Sequence, residues 1–217
     1  MRKIIAISDT HSQHGKLTED ITRLIESPDD ILIHAGDVTE HGKREEVIEF
    51  LDWFASFDIK HKIFIAGNHD TALGLNPFIA EPYKENGVTY LIDSFIQIDK
   101  LKIYGSPWIP KIGNFFFNLE RGEAIAQKWA NIPDDVVILV THCPPYGILD
   151  KAGILNVGCE DLYMKVAKVQ PKIHIFGHLH DNYGYKIIDP TIYMNAANLD
   201  SGYNYLYTPT SFYIDFL

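Results

Sequence analysis

The sequence has only two cysteines, Cys143 and Cys159, among 217 residues. Two cysteines cannot build a disulfide framework or a four-cysteine zinc site. We therefore expect two reduced thiols in a cytoplasmic protein. Cys143 follows a histidine, but packing as a small apolar side chain is a commoner role than acting as a nucleophile.

Long hydrophobic runs are also missing. The apolar run at residues 4–7 ends at Ser8 and Asp9, which makes it too short for the hydrophobic region of a signal peptide. No stretch approaches the roughly 18 apolar residues of a membrane span. The sequence therefore predicts a soluble protein without a membrane partner.

Positive charge is scarce. The chain has 19 lysines and arginines against 29 aspartates and glutamates, which gives a formal net charge of −10. A surface this acidic repels phosphate backbones, so the composition disfavours a nucleic-acid-binding protein. A small anionic substrate is still compatible, because a local cationic centre can override the overall field. The composition and net charge do not indicate an oligomeric state.

The composition excludes disorder and a coiled coil, since hydrophobic residues make up 46% of the chain and charged residues 22%. At roughly 150 residues per domain, we expect a single domain over residues 1–217. A chain of this length can bury a sizeable core without disulfide or metal crosslinks.

Short apolar runs with many β-branched residues indicate buried strands, because each run ends abruptly in polar or glycine-rich residues. These runs are residues 4–7, 31–35, 63–66, 136–140 and 173–176. Amphipathic patterns predict helices at 19–26, 43–57, 120–130 and 160–170. The alternation of strands and helices at the start of the chain predicts right-handed βαβ units and a partly parallel sheet.

Two further groups of strands lie close together in the sequence and are expected to be antiparallel. The first group is 88–91, 95–98 and 102–106, and the second is 185–188, 191–194 and 211–216. The fold class predicted from these patterns is a layered α/β protein with mixed sheets.

Each of the five predicted buried strands is followed directly by residues of types that commonly bind metals. The clusters, in chain order, are Asp9 and His11, then Asp37, then Asn68 with His69 and Asp70, then His142, then His178 and His180. In open α/β sheets, ligands bind at the carboxyl ends of the strands. We therefore expect the five clusters to converge in space.

The spacing within the clusters suits shared coordination. Residues i and i+2 of an extended chain point the same way, so Asp9 and His11 can reach one ion, as can His178 and His180. The two oxygens of Asp37 can bridge two ions. Two divalent ions among two carboxylates leave a net positive centre, which suits a phosphate ester.

Each motif alone has a commoner explanation. An Asp-x-His pair usually binds nothing, a Gly-Asp after a strand is most often a turn with a helix cap, and a His-x-His can be an ordinary strand pair. Gly36, Gly67 and Gly177 are expected to let the backbone turn sharply. The conjunction of five clusters after five strands favours the metal site.

The order Asp-x-His, Gly-Asp, Gly-Asn-His-Asp, Thr-His and Gly-His-x-His over residues 9–180 resembles the calcineurin-like metallophosphoesterase superfamily. Segments 36–40, 66–70, 105–108 and 141–145 are similar to its metallophosphoesterase-domain-containing branch, and the resemblance covers the whole chain. It implies an α/β sandwich of two mixed sheets flanked by helices. It also implies a binuclear metal-dependent hydrolase of cyclic nucleotides or other small phosphodiesters.

The resemblance also assigns roles to residues. The ligands it implies are Asp9, His11 and His180 for one ion, Asn68, His142 and His178 for a second, and Asp37 as a bridge. His69 would protonate the leaving oxygen, oriented by Glu40 or Asp70. Two divalent transition metal ions are implied, and this ligand set suits Mn, Fe, Zn or Ni.

Two departures from the family pattern bear on the substrate. His41 stands where the phosphoprotein phosphatases carry an arginine, and Ala66 replaces the arginine before Gly-Asn-His. Two bidentate clamps for a monoester dianion are therefore missing, which favours a diester. The alternatives are a phosphomonoesterase, a nuclease or a non-catalytic scaffold on the same fold.

The expected substrate contacts are Asn68, His41 and Trp108. Trp108 begins an aromatic segment, residues 108–117, which could stack a nucleobase or simply cover the core. The remaining histidines are expected to be surface or satisfied core residues rather than ligands. These are His14, His34, His61 and His174.

Overall fold

The computed structural model describes residues 1–215. The strands, in chain order, are β1 (Arg2–Ile7), β2 (Ile31–His34), β3 (His61–Phe64), β4 (Val88–Tyr90), β5 (Ser94–Ile98), β6 (Leu101–Ser106), β7 (Ile109–Pro110), β8 (Asn118–Leu119), β9 (Ile138–Thr141), β10 (Lys151–Ala152), β11 (Leu155–Asn156), β12 (Ile173–Phe176), β13 (Gly184–Ile188), β14 (Thr191–Asn195) and β15 (Thr210–Ile214).

The α-helices are α1 (Thr18–Leu24), α2 (Arg44–Ala55), α3 (Thr71–Leu75), α4 (Glu123–Ala130) and α5 (Glu160–Val169). Helices of the 3-10 type span His14–Leu17, Pro77–Asn86 and His180–Asn182. Within residues 1–215, no helix combines the length and the apolar character that crossing a membrane requires.

The first sheet has the strand order β15-β1-β2-β3-β4. Strands β1, β2 and β3 are parallel, as the alternation of strands and helices predicts. Strand β15 runs antiparallel to β1 at one edge. It forms from the predicted strand 211–216, of which residue 216 lies outside the described part of the chain.

Strand β4 corrects one expectation, because it pairs with β3 in parallel and not with the antiparallel group that follows it. The sequence patterns assign no helix between these two strands. The structure places α3 and the 3-10 helix Pro77–Asn86 there, and this crossover returns the chain to the starting end of the sheet. Gly87, at φ +79°, ends the crossover just before β4.

The second sheet has the order β13-β14-β12-β9-β6-β5. Its central strands are parallel, whereas β5 and β13 run antiparallel to their neighbours β6 and β14. The predicted fold class is therefore confirmed: the chain is a mixed α/β protein with two large mixed sheets flanked by helices.

Both faces of the central strands are buried, which explains why their sequences are apolar throughout. Side chains such as Ile4 and Ile33 meet Val140 and Ile175 in a core between the two sheets. On the outer face of the first sheet, α2 contributes a stripe of four buried residues. They are Val47, Phe50, Leu51 and Phe54. Helices α4 and α5 cover the outer face of the second sheet with residues including Trp129.

Parallel pairing brings the carboxyl ends of the strands to one edge of each sheet. In the first sheet Ile7, His34 and Phe64 are in register, so the segments after β1, β2 and β3 leave side by side. The two sheets are joined at this edge, where the Ser8 N–H donates to Asn198 Oδ1 at 3.1 Å. The topology therefore gathers the chemistry-bearing loops at one place.

Gly105 marks a close approach of the two sheets and gives a test of the packing. A Cβ at this position would lie 2.6 Å from Ile65 Cγ2 and 2.6 Å from Leu91 Cβ. We expect Gly105→Ala to lower the free energy of unfolding by roughly 1–3 kcal/mol, the usual cost of overpacking a core. Urea denaturation measures this loss as a lower midpoint.

The matched control is Gly15→Ala, because a Cβ at Gly15 would have no neighbour within 4 Å. This variant should stay within about 0.5 kcal/mol of the wild type. Equal midpoints for Gly105→Ala and Gly15→Ala would contradict the described contact between the sheets.

Candidate metal centre

Four side chains of the centre extend from backbone in the left-handed region. The φ angles are +53° at Asp9, +40° at His11, +56° at Asp37 and +68° at His178. Such angles are uncommon for residues other than glycine and collect at functional sites. Main-chain hydrogen bonds between the loops hold these residues in place. One of them, 3.1 Å long, joins the His11 N–H to the main-chain oxygen of Asp37.

Asp9, His11 and His180 form a first group whose ligand atoms lie within 4.8 Å of one another. His180 Nε2 lies 3.3 Å from Asp9 Oδ1 and 3.3 Å from His11 Nε2. His180 Nδ1 donates to the main-chain oxygen of Asp200 at 2.9 Å. Since a carbonyl oxygen can only accept, the Nε2 atom is left to face the group.

Asp37, His142 and His178 form a second group. His142 Nε2 lies 3.3 Å from Asp37 Oδ2 and 3.2 Å from Asn68 Oδ1. His142 Nδ1 donates to the main-chain oxygen of Ala35 at 2.9 Å, so this imidazole is also oriented with Nε2 toward its partners. The structure thus brings Asn68 to the second group.

Asp37 connects the two groups. It also belongs to a third set, with His11 and His69. His11 Nε2 lies 3.7 Å from Asp37 Oδ2, and the His69 main-chain N–H donates to Asp37 Oδ1 at 2.9 Å. The Asp37 carboxylate therefore lies within reach of side chains from both groups. His69, which the sequence analysis reserves for proton transfer, is also within reach of these groups.

The two carboxylates and two of the imidazoles behave as ion pairs. Burial opposes ionisation of Asp9 and Asp37, but nearby imidazoles hold the pKa of each well below its ordinary value. Burial likewise opposes the charged form of His142, yet the Asp37 carboxylate raises its pKa to about 9. The hydrogen bond and charge of Asp9 outweigh burial at His180 and also raise its pKa to about 9.

His11 and His178 differ from these two imidazoles. Burial, together with the charge of His142, lowers the pKa of His178 to about 4. Burial also lowers the pKa of His11. Both rings are therefore neutral at pH 7, which is the form that binds a metal.

A profile of the family described as calcineurin-like phosphoesterases matches residues 2–182. The chain belongs to this family. The family resemblance predicted from the order of the motifs is therefore confirmed. Membership in the calcineurin-like phosphoesterases supports a hydrolase acting on phosphoester bonds and implies divalent metal ions.

Similar proteins support the same family. A UPF0046 protein of Caenorhabditis elegans is 38% identical over 98% of this chain and 75% of its own length. The human metallophosphoesterase domain-containing protein 1 is 37% identical over 90% of this chain, which spans 65% of the human protein. A crystal structure of TT1561 of Thermus thermophilus overlays with a TM-score of 0.67 at 14% identity, covering 89% of this chain and 88% of that one.

The donor set fits the divalent metals that the calcineurin-like phosphoesterase family implies. Imidazole nitrogens, carboxylate oxygens and one amide oxygen are ligands that first-row transition metals accept. The ligand atoms of each group already lie within 4.8 Å of one another, and the imidazoles of His142 and His180 have fixed Nε2 orientations. His11 Nδ1 is buried without a hydrogen-bond partner.

Glycines give the ligands room. A Cβ at Gly177 would lie 1.9 Å from Asp9 Oδ2, and one at Gly67 would lie 2.2 Å from Asp37 Oδ1. The sequence analysis explains both glycines by sharp turns. Close approach of a carboxylate is the stronger reason at these two positions, whereas Gly36 also needs its φ of +102°.

The sequence analysis expects the carboxylate of Glu40 or Asp70 to orient His69. The hydrogen bonds described for residues 1–215 join neither carboxylate to the His69 ring. His69 Nδ1 donates to the main-chain oxygen of Glu40 at 2.8 Å, so this contact does not involve the Glu40 side chain. The Asp70 carboxylate instead accepts hydrogen bonds from main-chain N–H groups, including those of Gly67 and Thr39. Burial and the charge of Asp37 raise its pKa to about 6. Asp70 therefore ties the loops together.

The described contacts of Trp108 and His41 are to residues outside the two ligand groups. Trp108 Nε1 donates to Asp93 at 3.0 Å, and Lys128 Nζ lies 4.1 Å from the centre of the indole ring. Trp108 therefore packs against the core, which is one of the two roles that the sequence left open. His41 is exposed, and its main-chain N–H donates to Glu46.

Two buried histidines, which the sequence analysis expects to be surface or satisfied core residues rather than ligands, support the ligand loops. The Gly36 N–H donates to His34 Nδ1 at 3.2 Å, so His34 Nε2 carries the proton and donates to Thr10 Oγ1 at 2.9 Å. His174 Nε2 contacts Thr141 Oγ1 at 2.8 Å in the same way. Each threonine directly precedes a ligand histidine. In the sequence, both His34 and His174 stand out as a histidine within an apolar strand.

The ion pairs predict a proton release when metal binds. At pH 7 the raised pKa values leave His142 and His180 protonated, and a metal must displace those protons. We expect release of about two protons per chain at pH 7, falling as the pH rises through about 9, and a metal affinity that grows over the same interval. Calorimetric titration with Mn²⁺ in buffers of different ionisation enthalpy measures the release.

The control is His180→Gln, which should release one proton fewer because it removes one of the two pairs. His61→Gln, at the opposite end of β3, should match the wild type. Metal binding at pH 7 without proton release would contradict the described pairing.

Proposed function

We propose that the chain is a binuclear metal-dependent phosphodiesterase that hydrolyses a small molecule such as a cyclic nucleotide. The observation that carries this proposal is the pair of ligand groups, which Asp37 connects because it belongs to the second group and also lies in a set with His11 of the first. The proposed ligands are Asp9, His11 and His180 for one ion, Asn68, His142 and His178 for the second, and Asp37 as the bridge.

The metals proposed are two ions from the set Mn, Fe, Zn and Ni, to which imidazole, carboxylate and amide ligands are suited. When bound, such ions lower the pKa of a water molecule and offset negative charge on phosphoryl oxygens. The net charge of −10 favours a small substrate over nucleic acid. We extend the proposal to one domain over residues 1–217 and to a cytoplasmic location.

His69 is the proposed proton donor to the leaving oxygen. Its Nδ1 is held by the Glu40 main-chain oxygen at 2.8 Å, which turns Nε2 toward the ligand groups. The His69 main-chain N–H is fixed by Asp37. A donor anchored at both its backbone and its ring is oriented for proton transfer, as general acid catalysis requires.

Local charge supports a diester over a monoester. Two cations, Arg121 and Lys111, line a cavity of about 300 Å³ beside His178. Each already pairs with a carboxylate, Arg121 with Glu160 and Lys111 with Glu120. These carboxylates offset part of the positive charge that would favour a monoester dianion over a diester.

The first test compares bis(4-nitrophenyl) phosphate with 4-nitrophenyl phosphate in the presence of Mn²⁺. We expect the higher kcat/KM for the diester, because each missing charge-assisted contact removes roughly 1.5–3 kcal/mol from monoester binding. His41→Arg should raise kcat/KM for the monoester by supplying one such contact. His61→Arg is the matched control and should leave the ratio unchanged. Equal or better monoester hydrolysis by the wild type would overturn the diester preference.

The second test is His69→Ala. We expect kcat to fall by roughly 10² to 10⁴, the usual contribution of a positioned general acid. The loss should be smaller for a nitrophenyl leaving group, which needs less protonation, than for an alkyl one. Metal content is measured by elemental analysis on the same sample. Loss of bound metal together with activity would identify His69 as a ligand instead.

A further inference from the structure

An exposed aromatic ring borders the proposed proton donor. The Phe115 side chain is 45% exposed, and its ring centre lies 5.0 Å from that of His69. The neighbouring aromatic side chains of the same segment, Phe116 and Phe117, pack against the core instead. Phe115 is therefore the member of this segment that combines exposure with contact to the centre.

The position of Phe115 is fixed by its neighbours. The Phe116 N–H donates to the Asn68 main-chain oxygen at 3.1 Å. The Phe116 ring lies against Gly74, where a Cβ would come within 1.9 Å of it. Asn118 Nδ2 donates to the Phe115 main-chain oxygen at 2.7 Å. The segment is thus tied directly to the loop that carries Asn68 and His69.

The leaving group of a diester must lie next to His69 if His69 protonates its oxygen. The His69 ring touches His11, at 4.7 Å between ring centres, and Phe115. Because His11 belongs to the ligand cluster, Phe115 is the ring neighbour of His69 that offers apolar surface to the leaving group. A phenyl ring recognises flat aromatic groups by stacking and excludes water from them.

We propose that Phe115 is a specificity-determining residue that selects diesters whose leaving alcohol carries an aromatic ring, such as an aryl group or a nucleoside. This inference rests on the proposed phosphodiesterase function and on His69 as the proton donor. Phe115 acts by contact with the substrate, so its effect depends on the leaving group.

The test compares two diesters with the same retained group: ethyl phenyl phosphate and ethyl hexafluoroisopropyl phosphate. Their leaving alcohols have similar acidity, but only one is aromatic. For each substrate, the ratio of variant to wild type cancels intrinsic reactivity. We expect Phe115→Ala to raise KM for the phenyl diester about tenfold with little change in kcat, and to alter the other substrate much less.

Phe115→Trp should restore the low KM for the phenyl diester, since it returns an aromatic face. Phe78→Ala is the matched control, because Phe78 is an exposed phenylalanine, at 73%, on the 3-10 helix Pro77–Asn86. It should leave both substrates unchanged.

Three results would overturn the inference. An equal fall of kcat on both diesters would show that Phe115 only positions His69. Unchanged kinetics for Phe115→Ala would show that the ring contacts neither leaving group. If the metal-loaded wild type hydrolyses neither these diesters nor bis(4-nitrophenyl) phosphate, the proposed function itself fails, and the role of Phe115 falls with it.

Discussion

Two buried carboxylates, Asp9 and Asp37, lie among imidazoles at the edge where the two sheets meet, and the surrounding loops are organised to hold this charge. Moving a carboxylate out of water costs several kcal/mol unless partners compensate. Here the compensation comes from main-chain N–H groups of His69 and His178 and from the imidazoles of His142 and His180. These partners follow three different strands, β3, β9 and β12, so the charge can be stabilised only in the assembled fold.

Backbone strain at the centre follows from the same requirement. Four proposed ligands adopt positive φ angles, each at a cost of roughly 1–3 kcal/mol. The parallel sheets supply rigid anchors a few residues away, and Asp70, His34 and His174 add buried hydrogen bonds between the loops. Glycines complete the arrangement by leaving space where a carboxylate approaches the backbone. Stability elsewhere in the fold therefore maintains a local geometry that the isolated loops would not adopt.

The sequence was informative where residue types that bind metals directly follow a predicted strand. The apolar runs, the clusters that follow them and the family motifs were sufficient to predict the mixed sandwich and the convergence of the ligand residues. The predicted direction of β4 was wrong. The direction of this strand depends on the crossover before it, whose helices have little amphipathic pattern in the sequence. The partners of Trp108 and His69 depend on side-chain and main-chain contacts between distant segments, to Asp93 and Glu40, that no local pattern encodes.

The same ion pairs explain how an acidic chain can attract a phosphate anion. Without metal, the protonated imidazoles of His142 and His180 offset the carboxylates of Asp37 and Asp9, so the ligand set is close to neutral. Under the proposed loading, two divalent ions replace those two protons, and the set becomes positive. Under this proposal, the attraction for phosphate arises from metal loading and not from the net charge of the chain, which is −10. Because protons and metals compete for the same nitrogens, acidification weakens this attraction by removing the ions.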